Sequence, residues 1–453
     1  MSQINDTIAA LATAPGRSAI AIVRASGPDA GRLAHRYFHG PVPLQPRVAT
    51  YGEIVDESGQ LIDRGLVLFM QAPRTYTGED VLEFHVHGSV AVTKELLRAL
   101  MAGGTRLAQP GEFTRRAFLN GKLDLHAAAS VADIIEAETR SAALAAAANM
   151  SGALGREVRG LRARLAHALE ELAGAVDFPD EVPEPDRARL AGEVQFVSQA
   201  LRLLRAGWEP GRLMREGLGV AIVGPPNAGK SSLLNALLGE ERALVSETAG
   251  TTRDTIEESA VIGTVQVRFT DTAGIRESTE ILESAGIARS RRALAEAQLL
   301  IVVVDGSQPL DRAAREMLVS TRDHPRVVFF NKADLGNHGY LQRDAAEQEA
   351  ISGSVFEASS LEVLRRAIEQ RGGWGESAPD GQRPHLASLR ELNAVVRALS
   401  GLEHAQATLS SAEPADFAVG DLQAAFAALG ELTGDVATEE MLDAIFARFC
   451  IGK

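Results

Sequence analysis

Residues Gly224-Pro225-Pro226-Asn227-Ala228-Gly229-Lys230-Ser231 stand between the apolar run Leu218 to Val223 and a helix-forming stretch that begins near Lys230. A strand, a glycine-rich turn and a helix in that order constrain the chain more than any other feature, because they define a phosphate-binding loop in its required setting. The glycines let backbone amides approach phosphate oxygens, and the helix N-terminus favours negative charge. Lys230 is placed to reach the β and γ phosphates, and Ser231 to ligate magnesium.

Two further apolar runs end in loops of matching chemistry, and ligands of open α/β sheets sit at the carboxyl ends of strands. Asp271-Thr272-Ala273-Gly274 follows Val265 to Phe269; Asp271 can hold magnesium through water and the Gly274 amide can sense a γ-phosphate. Asn331-Lys332-Ala333-Asp334 follows Val327 to Phe330, and Asp334 can accept both N–H donors of a guanine edge, which adenine lacks. Between the loops lies Gly250-Thr251-Thr252-Arg253-Asp254, where Thr252 can complete a magnesium shell in a switch segment ordered by GTP. Ile275 stands where Ras-like GTPases carry a water-orienting glutamine, so hydrolysis needs another polar group from the acidic stretch Glu277 to Glu283, or a cation near the phosphates.

The rest of the chain divides around this unit. With 453 residues and 45% apolar content, it exceeds one core. Strand-like runs at Ser18 to Arg24, Leu66 to Met70 and Val81 to Val86 predict a small α+β domain. Ala, Leu, Arg and Glu with helical periodicity follow from Leu125, broken once by Asp177-Phe178-Pro179-Asp180-Glu181, and helical text resumes after the linker Gly372 to Arg383. The expected fold class is therefore multidomain α/β and all-α. Its parts are an N-terminal α+β domain over 1–121, a helical domain over 122–216 and 376–453, and a parallel α/β domain inserted at 217–375. Two independent helical domains would read similarly.

No signal pattern and no apolar run of roughly 20 residues is present, and the lone cysteine, Cys450, fits a reducing compartment, so a cytoplasmic protein without a membrane span is expected. A net charge of −14 argues against gripping nucleic acid through the overall field. The arginine clusters Arg156, Arg159, Arg162, Arg164 and Arg289, Arg291, Arg292 are interleaved with acids and read as solvated helix faces.

Three signatures outside the phosphate loop resemble the MnmE (TrmE) family. They are Pro73-Arg74-Thr75-Tyr76-Thr77-Gly78-Glu79-Asp80 with Pro110 to Lys122, the stretch Asp177 to Glu181, and the ending Phe449-Cys450-Ile451-Gly452-Lys453 behind Gly430 to Gly434. The resemblance spans essentially the whole chain. It implies a GTP hydrolase with a Ras-like G domain, acting as a homodimer through its N-terminal domain. It also implies work with an FAD-dependent partner, MnmG (GidA), in a heterotetramer that modifies C5 of the wobble uridine of tRNA with an aminomethyl or carboxymethylaminomethyl group.

Carried over by residue, the family's nucleotide contacts fall on Asn227, Ala228, Gly229, Lys230, Ser231 and Ser232, on Ser246, Glu247, Thr248, Ala249, Gly250, Thr251 and Thr252, on Asp271, Thr272, Ala273 and Gly274, and on Asn331, Lys332, Ala333 and Asp334. It assigns K⁺ to Asn227, Ser246, Thr248 and Thr251, Mg²⁺ to Ser231 and Thr252, and the hydrolytic acid/base role to Glu283. A 5-formyltetrahydrofolate or related folate is implied at Arg24, Glu83, Lys122 and Lys453. For Cys450 two readings stand, catalytic use beside the folate and a partly buried structural thiol.

The sequence departs from the family at Val86, Ser89, Ala127 and Ala129, which bears on the folate pocket, and its guanine-backing loop reads as a reduced Glu357-Ala358-Ser359, which predicts weak guanine affinity. Two other functions compete. A ribosome-assembly GTPase switch would carry a basic RNA-binding appendage, and a folate enzyme acting on a small substrate would use the G domain only for regulation.

Overall fold

The computed structural model describes residues 6–41, 43–177, 180, 183, 185–239, 258–270, 297–341, 349–374, 385–411 and 413–452. The chain forms two compact units, one of residues 1–135, 149–205 and 387–453, the other of 136–148 and 206–386. The architecture is a multidomain combination of mixed sheet with helices, an all-α part and a parallel α/β part.

In the first unit a seven-stranded sheet is built from β1 (Ile8–Leu11), β2 (Ser18–Ser26), β3 (Phe38–His39), β4 (Thr50–Val55), β5 (Leu61–Met70), β6 (Val81–Gly88) and β7 (Arg106–Leu107), in the order β3-β4-β5-β6-β2-β1-β7. Side chains alternate between faces along a strand. Ala21, Val23 and Ala25 of β2 and Leu82, Phe84 and Val86 of β6 therefore share one face, where they pack with Leu33, Leu96 and Leu100 from the helices Ala30–Tyr37 and Val90–Ala102. Arg24, Glu83 and His85 fall on the other face. The expected strands lie within β2, β5 and β6; β4 escaped sequence reading because Tyr51-Gly52-Glu53 offers no apolar run, and its hairpin partner supplies the register instead.

The helical part of this unit contains Ala153–Asp177, Arg187–Ala206, Leu389–Leu409, Phe417–Thr433 and Glu439–Phe446. Helix Phe417–Thr433 packs on both Leu389–Leu409 and Ala153–Asp177, so segments from either side of the second unit share one core. The first arginine cluster is tied to acids here: Arg162 to Asp435, Arg164 to Glu193, and Arg159 to Asp124. Arg159 and Arg164 are exposed, whereas Arg162 is largely buried over the Phe426 ring.

The second unit is a six-stranded sheet of β8 (Leu218–Val223), β9 (Glu258–Ile262), β10 (Val265–Thr270), β11 (Leu299–Asp305), β12 (Arg326–Asn331) and β13 (Ile351–Ser352), in the order β13-β12-β11-β8-β10-β9. All pairs are parallel except the β9–β10 hairpin. Continuous apolar runs mark strands buried on both faces, and each face carries its own core. Val220, Ile301 and Phe329 pack toward the helices Lys230–Gly239 and Ala358–Gly372, while Val302, Val328 and Phe330 pack toward Arg312–Ser320. Strand β8 lies between β11 and β10, so the chain leaves its carboxyl end at the point where strand order reverses, the position at which ligands bind such sheets. No described helix is long and apolar enough to cross a membrane.

Candidate functional site

The loop after β8 wraps the start of helix Lys230–Gly239 through three residues with positive φ: Gly224 at 158°, Asn227 at 60° and Gly229 at 99°. Glycine is required at two of them by close approach as well as by φ. A Cβ on Gly224 would stand 2.1 Å from the Val303 carbonyl oxygen, and one on Gly229 would stand 2.2 Å from Nδ2 of Asn331. Asn227 is exposed at the turn, its left-handed backbone turning the loop amides inward.

Lys230 Nζ donates to the carbonyl oxygens of Gly224 at 2.9 Å and Pro225 at 2.8 Å. Burial pushes its amine below the ordinary lysine range, and the partners that it bonds among the described residues are neutral carbonyl oxygens. A half-buried ammonium at a helix N-terminus is a receptor for a polyphosphate, whose negative charge would replace the two carbonyls as its partner. Ser231 is half-buried and Ser232 exposed at the helix start. Among the described residues no cluster of three His, Cys, Asp or Glu side chains could hold a metal.

Asn331, at the end of β12, is buried and ties two loops together. Its Nδ2 donates to the Ala228 carbonyl at 2.9 Å and its Oδ1 accepts the Val355 amide at 3.1 Å. Ala333 N donates to Gly353 O at 3.0 Å, which sets the exposed Asp334 beside the turn after β13. The segment backing this turn is thus Gly353 to Val355. Glu357, Ala358 and Ser359, on which the sequence reading put the backing loop, instead form the N-cap and first turn of helix Ala358–Gly372. Asn331→Ala is expected to destabilise the nucleotide-free protein by about 1–3 kcal/mol, because a buried carbonyl and a buried amide lose their partners. A denaturant titration measures this, and an unmoved midpoint would mean those groups find other partners.

Sequence reasoning also missed Asp305, at the end of β11, whose Oδ2 accepts Lys332 Nζ at 2.6 Å. Its signal was an acid closing the apolar run Leu299 to Val304. Ser246, Glu247, Thr248, Ala249, Gly250, Thr251, Thr252, Asp271, Thr272, Ala273, Gly274 and Glu283 lie outside the described residues, as do Lys453 and Arg289, Arg291 and Arg292.

In the first unit, strand register sets Arg24 opposite Glu83, and Arg24 Nε donates to Glu83 Oε1 at 2.8 Å. Glu83 is buried, its second oxygen stands 3.3 Å from His85 Nε2, and the Arg24 guanidinium lies 5.8 Å from the Phe113 ring centre. Val86 points to the opposite, helix-covered face, so that departure does not reshape the surroundings of Arg24 and Glu83. Lys122 is exposed and runs past Gly78, where a Cβ would stand 3.2 Å from its Cε. The chain end comes to the same sheet: a Cβ on Gly452 would stand 2.2 Å from Leu11 O, and the neighbouring Ala10 pairs with Arg24. Cys450 is exposed, and its carbonyl faces the Gly111 amide at 3.5 Å.

Comparison with known proteins covers both parts of the chain. Residues 7–122 match the family described as GTP-binding protein TrmE N-terminus, and residues 125–450 match the MnmE helical domain. The chain is similar to the tRNA modification GTPase MnmE of Moorella thermoacetica, at 42% identity over 99% of this chain and 100% of that one. It is also similar to the proteins of that name from Heliobacterium modesticaldum, at 41% identity over 99% and 100%, and Chloroflexus aurantiacus, at 40% over 99% and 100%.

Proposed function

Because the chain belongs to the MnmE (TrmE) family of tRNA modification GTPases, we propose that it hydrolyses GTP in the loop after β8 to drive modification of C5 of the tRNA wobble uridine. The observation that carries this reading is the half-buried Lys230 ammonium, which among the described residues bonds the loop carbonyls of Gly224 and Pro225 at a helix N-terminus, with Asn331 coupling that loop to the Asp334 turn. Polyphosphate and guanine recognition are joined in one network. Lys230 and the loop amides take the phosphates, Asp334 takes the guanine edge, and Ser231 and Thr252 hold Mg²⁺.

Potassium supplies the charge that a chain with Ile275 in place of a glutamine needs. Asn227, exposed at the loop tip, would hold it with Ser246, Thr248 and Thr251, and Glu283 would serve as acid/base. Association of two G domains in a homodimer is the step that this cation promotes. The FAD-dependent partner MnmG would supply the redox chemistry, and a formyl-tetrahydrofolate the one-carbon unit. The Arg24–Glu83 pair suits folate: the guanidinium matches a carboxylate or carbonyl, and the carboxylate matches the N–H donors of a pterin. Lys122 and Lys453 would meet the folate's acidic end, and Cys450 lies on the same chain end. Action takes place in the cytoplasm, where tRNA is modified.

GTP turnover in KCl against NaCl at equal ionic strength tests the cation. Stimulation of about tenfold or more in K⁺ is expected, of the order of one well-placed charge in a phosphoryl site, and it should vanish in Asn227→Ala. Equal rates in the two salts would remove the potassium assignment and leave the phosphate loop intact.

A further inference from the structure

The turn that follows β11 is bound to the turn that follows β12 more tightly than a sheet requires. Asp305 pairs with Asn331 across the β11–β12 register, Gly306 N donates to Asn331 O at 2.8 Å, and Gly339 N donates to Gly306 O at 2.9 Å. A Cβ on Gly306 would stand 3.0 Å from Asn331 O, and one on Gly339 would stand 2.7 Å from Gln308 O, so the two turns are in backbone contact.

The Asp305 carboxylate is fixed from both sides. Oδ1 accepts the Ser307 amide at 3.0 Å and the Ser307 hydroxyl at 2.6 Å, while Oδ2 accepts Lys332 Nζ at 2.6 Å. Burial pulls this carboxyl up, but the bonds from Lys332 and Ser307 outweigh it and hold Asp305 below the ordinary carboxylate range. Lys332 itself has φ at 64°, a conformation unfavourable for a residue with a side chain, and sits half-buried two residues before Asp334.

We propose that Asp305 is a positioning residue for guanine recognition, which anchors the Lys332 ammonium so that the lysine's four-carbon stem forms one fixed wall of the base site beside Asp334. This rests on the reading of the loop after β8 and the Asp334 turn as a GTP site. Free lysine stems carry several rotatable bonds, and the cost of ordering one against a ligand opposes binding. A carboxylate that is itself held by Ser307 meets that cost before the nucleotide arrives. A hydrophobic stem fixed over a planar base also excludes water from the edge that Asp334 reads. The role predicts that Asp305 matters to the nucleotide only through Lys332, in contrast to Asn331, which acts on the phosphate loop directly.

Calorimetric GDP titration of the full-length protein tests this by a double-mutant cycle. Asp305→Asn keeps the acceptor for Ser307 and turns an amide toward Lys332, and it should weaken GDP about 5- to 30-fold. In a Lys332→Ala background the same change should alter affinity less than twofold. An unaffected Asp305→Asn single variant would overturn the proposal, and so would a loss of equal size in both backgrounds, which would make Asp305 a scaffold residue. Asp334→Asn is the control on the underlying reading: it should weaken GDP by tenfold or more however Asp305 behaves, and wild-type affinity in that variant would overturn the guanine assignment together with the proposal.

Discussion

Lys230→Ala is expected to lower the GTP hydrolysis rate by about 10²–10³-fold, the range found when one preorganised charge or donor is removed from a developing anion. The ammonium now rests on the Gly224 and Pro225 carbonyls, both rim atoms of the loop, and its burial disfavours the charged form. A triphosphate would take the ammonium from those carbonyls and favour its charged form, so the lysine contributes more to the transition state than to the empty loop. The fold should survive, because the two carbonyls lie at a partly exposed turn. Arginine is not a conservative substitute, since its planar fork replaces a compact point charge. Single-turnover hydrolysis, with thermal unfolding to verify folding, is the measurement; a rate within a few-fold of wild type would remove Lys230 from the phosphate site.

Where chemistry depends on neighbours in sequence, it was legible. Strands β8, β11 and β12 announce themselves as continuous apolar runs and β10 by apolar alternation, and the loops at the ends of β8 and β12 fall where strand ends must meet. Strands β9 and β13 were missed for opposite reasons. One is an edge strand with acid at its start, and the other has only two residues, followed by Gly353, which donates to Phe330 O and accepts from Ala333 N. The misplacement of the guanine-backing loop on Glu357 to Ser359 has the same origin: Gly353 to Val355 carry no distinctive side chain, and their role lies in backbone contacts to Asn331 and Ala333. Arg24 and Glu83 looked like ordinary surface charges because their relation is one of strand register, 59 residues apart. Only the resemblance to relatives drew them out of the sequence.

Long range also hid the pair that joins the two stretches of the helical part. His126 and Glu391 are separated by 265 positions, yet His126 Nδ1 stands 3.1 Å from Glu391 Oε1, with each side chain only 1% exposed. Glu391 Oε2 accepts the Ala387 amide at 2.6 Å, which completes a cap with Ser388 at the start of helix Leu389–Leu409. Burial alone would raise the carboxyl and lower the imidazole, but mutual attraction outweighs it. Glu391 lies well below its ordinary 4.5, and His126 lies above its ordinary 6.5.

Glu391 therefore contributes stability that is complete above about pH 4.5 and is lost as pH falls through its lowered value. His126 contributes stability that is complete below about pH 6.5 and is lost as pH rises through its raised value. The pair is worth most between those limits and should lose its value on either side. His126→Ala is expected to cost about 3 kcal/mol near pH 6, because it removes the nearest cation from a buried carboxylate and leaves it Arg390 at 3.4 Å. Replacing both residues by leucine should cost less, about 1–3 kcal/mol, mostly for the orphaned Ala387 amide. Denaturant unfolding of the three proteins between pH 4 and 9 decides the matter. A His126→Ala loss no larger than that of the double variant, with the same pH profile as wild type, would mean that the two side chains meet as neutral groups and that the joint is held by packing alone.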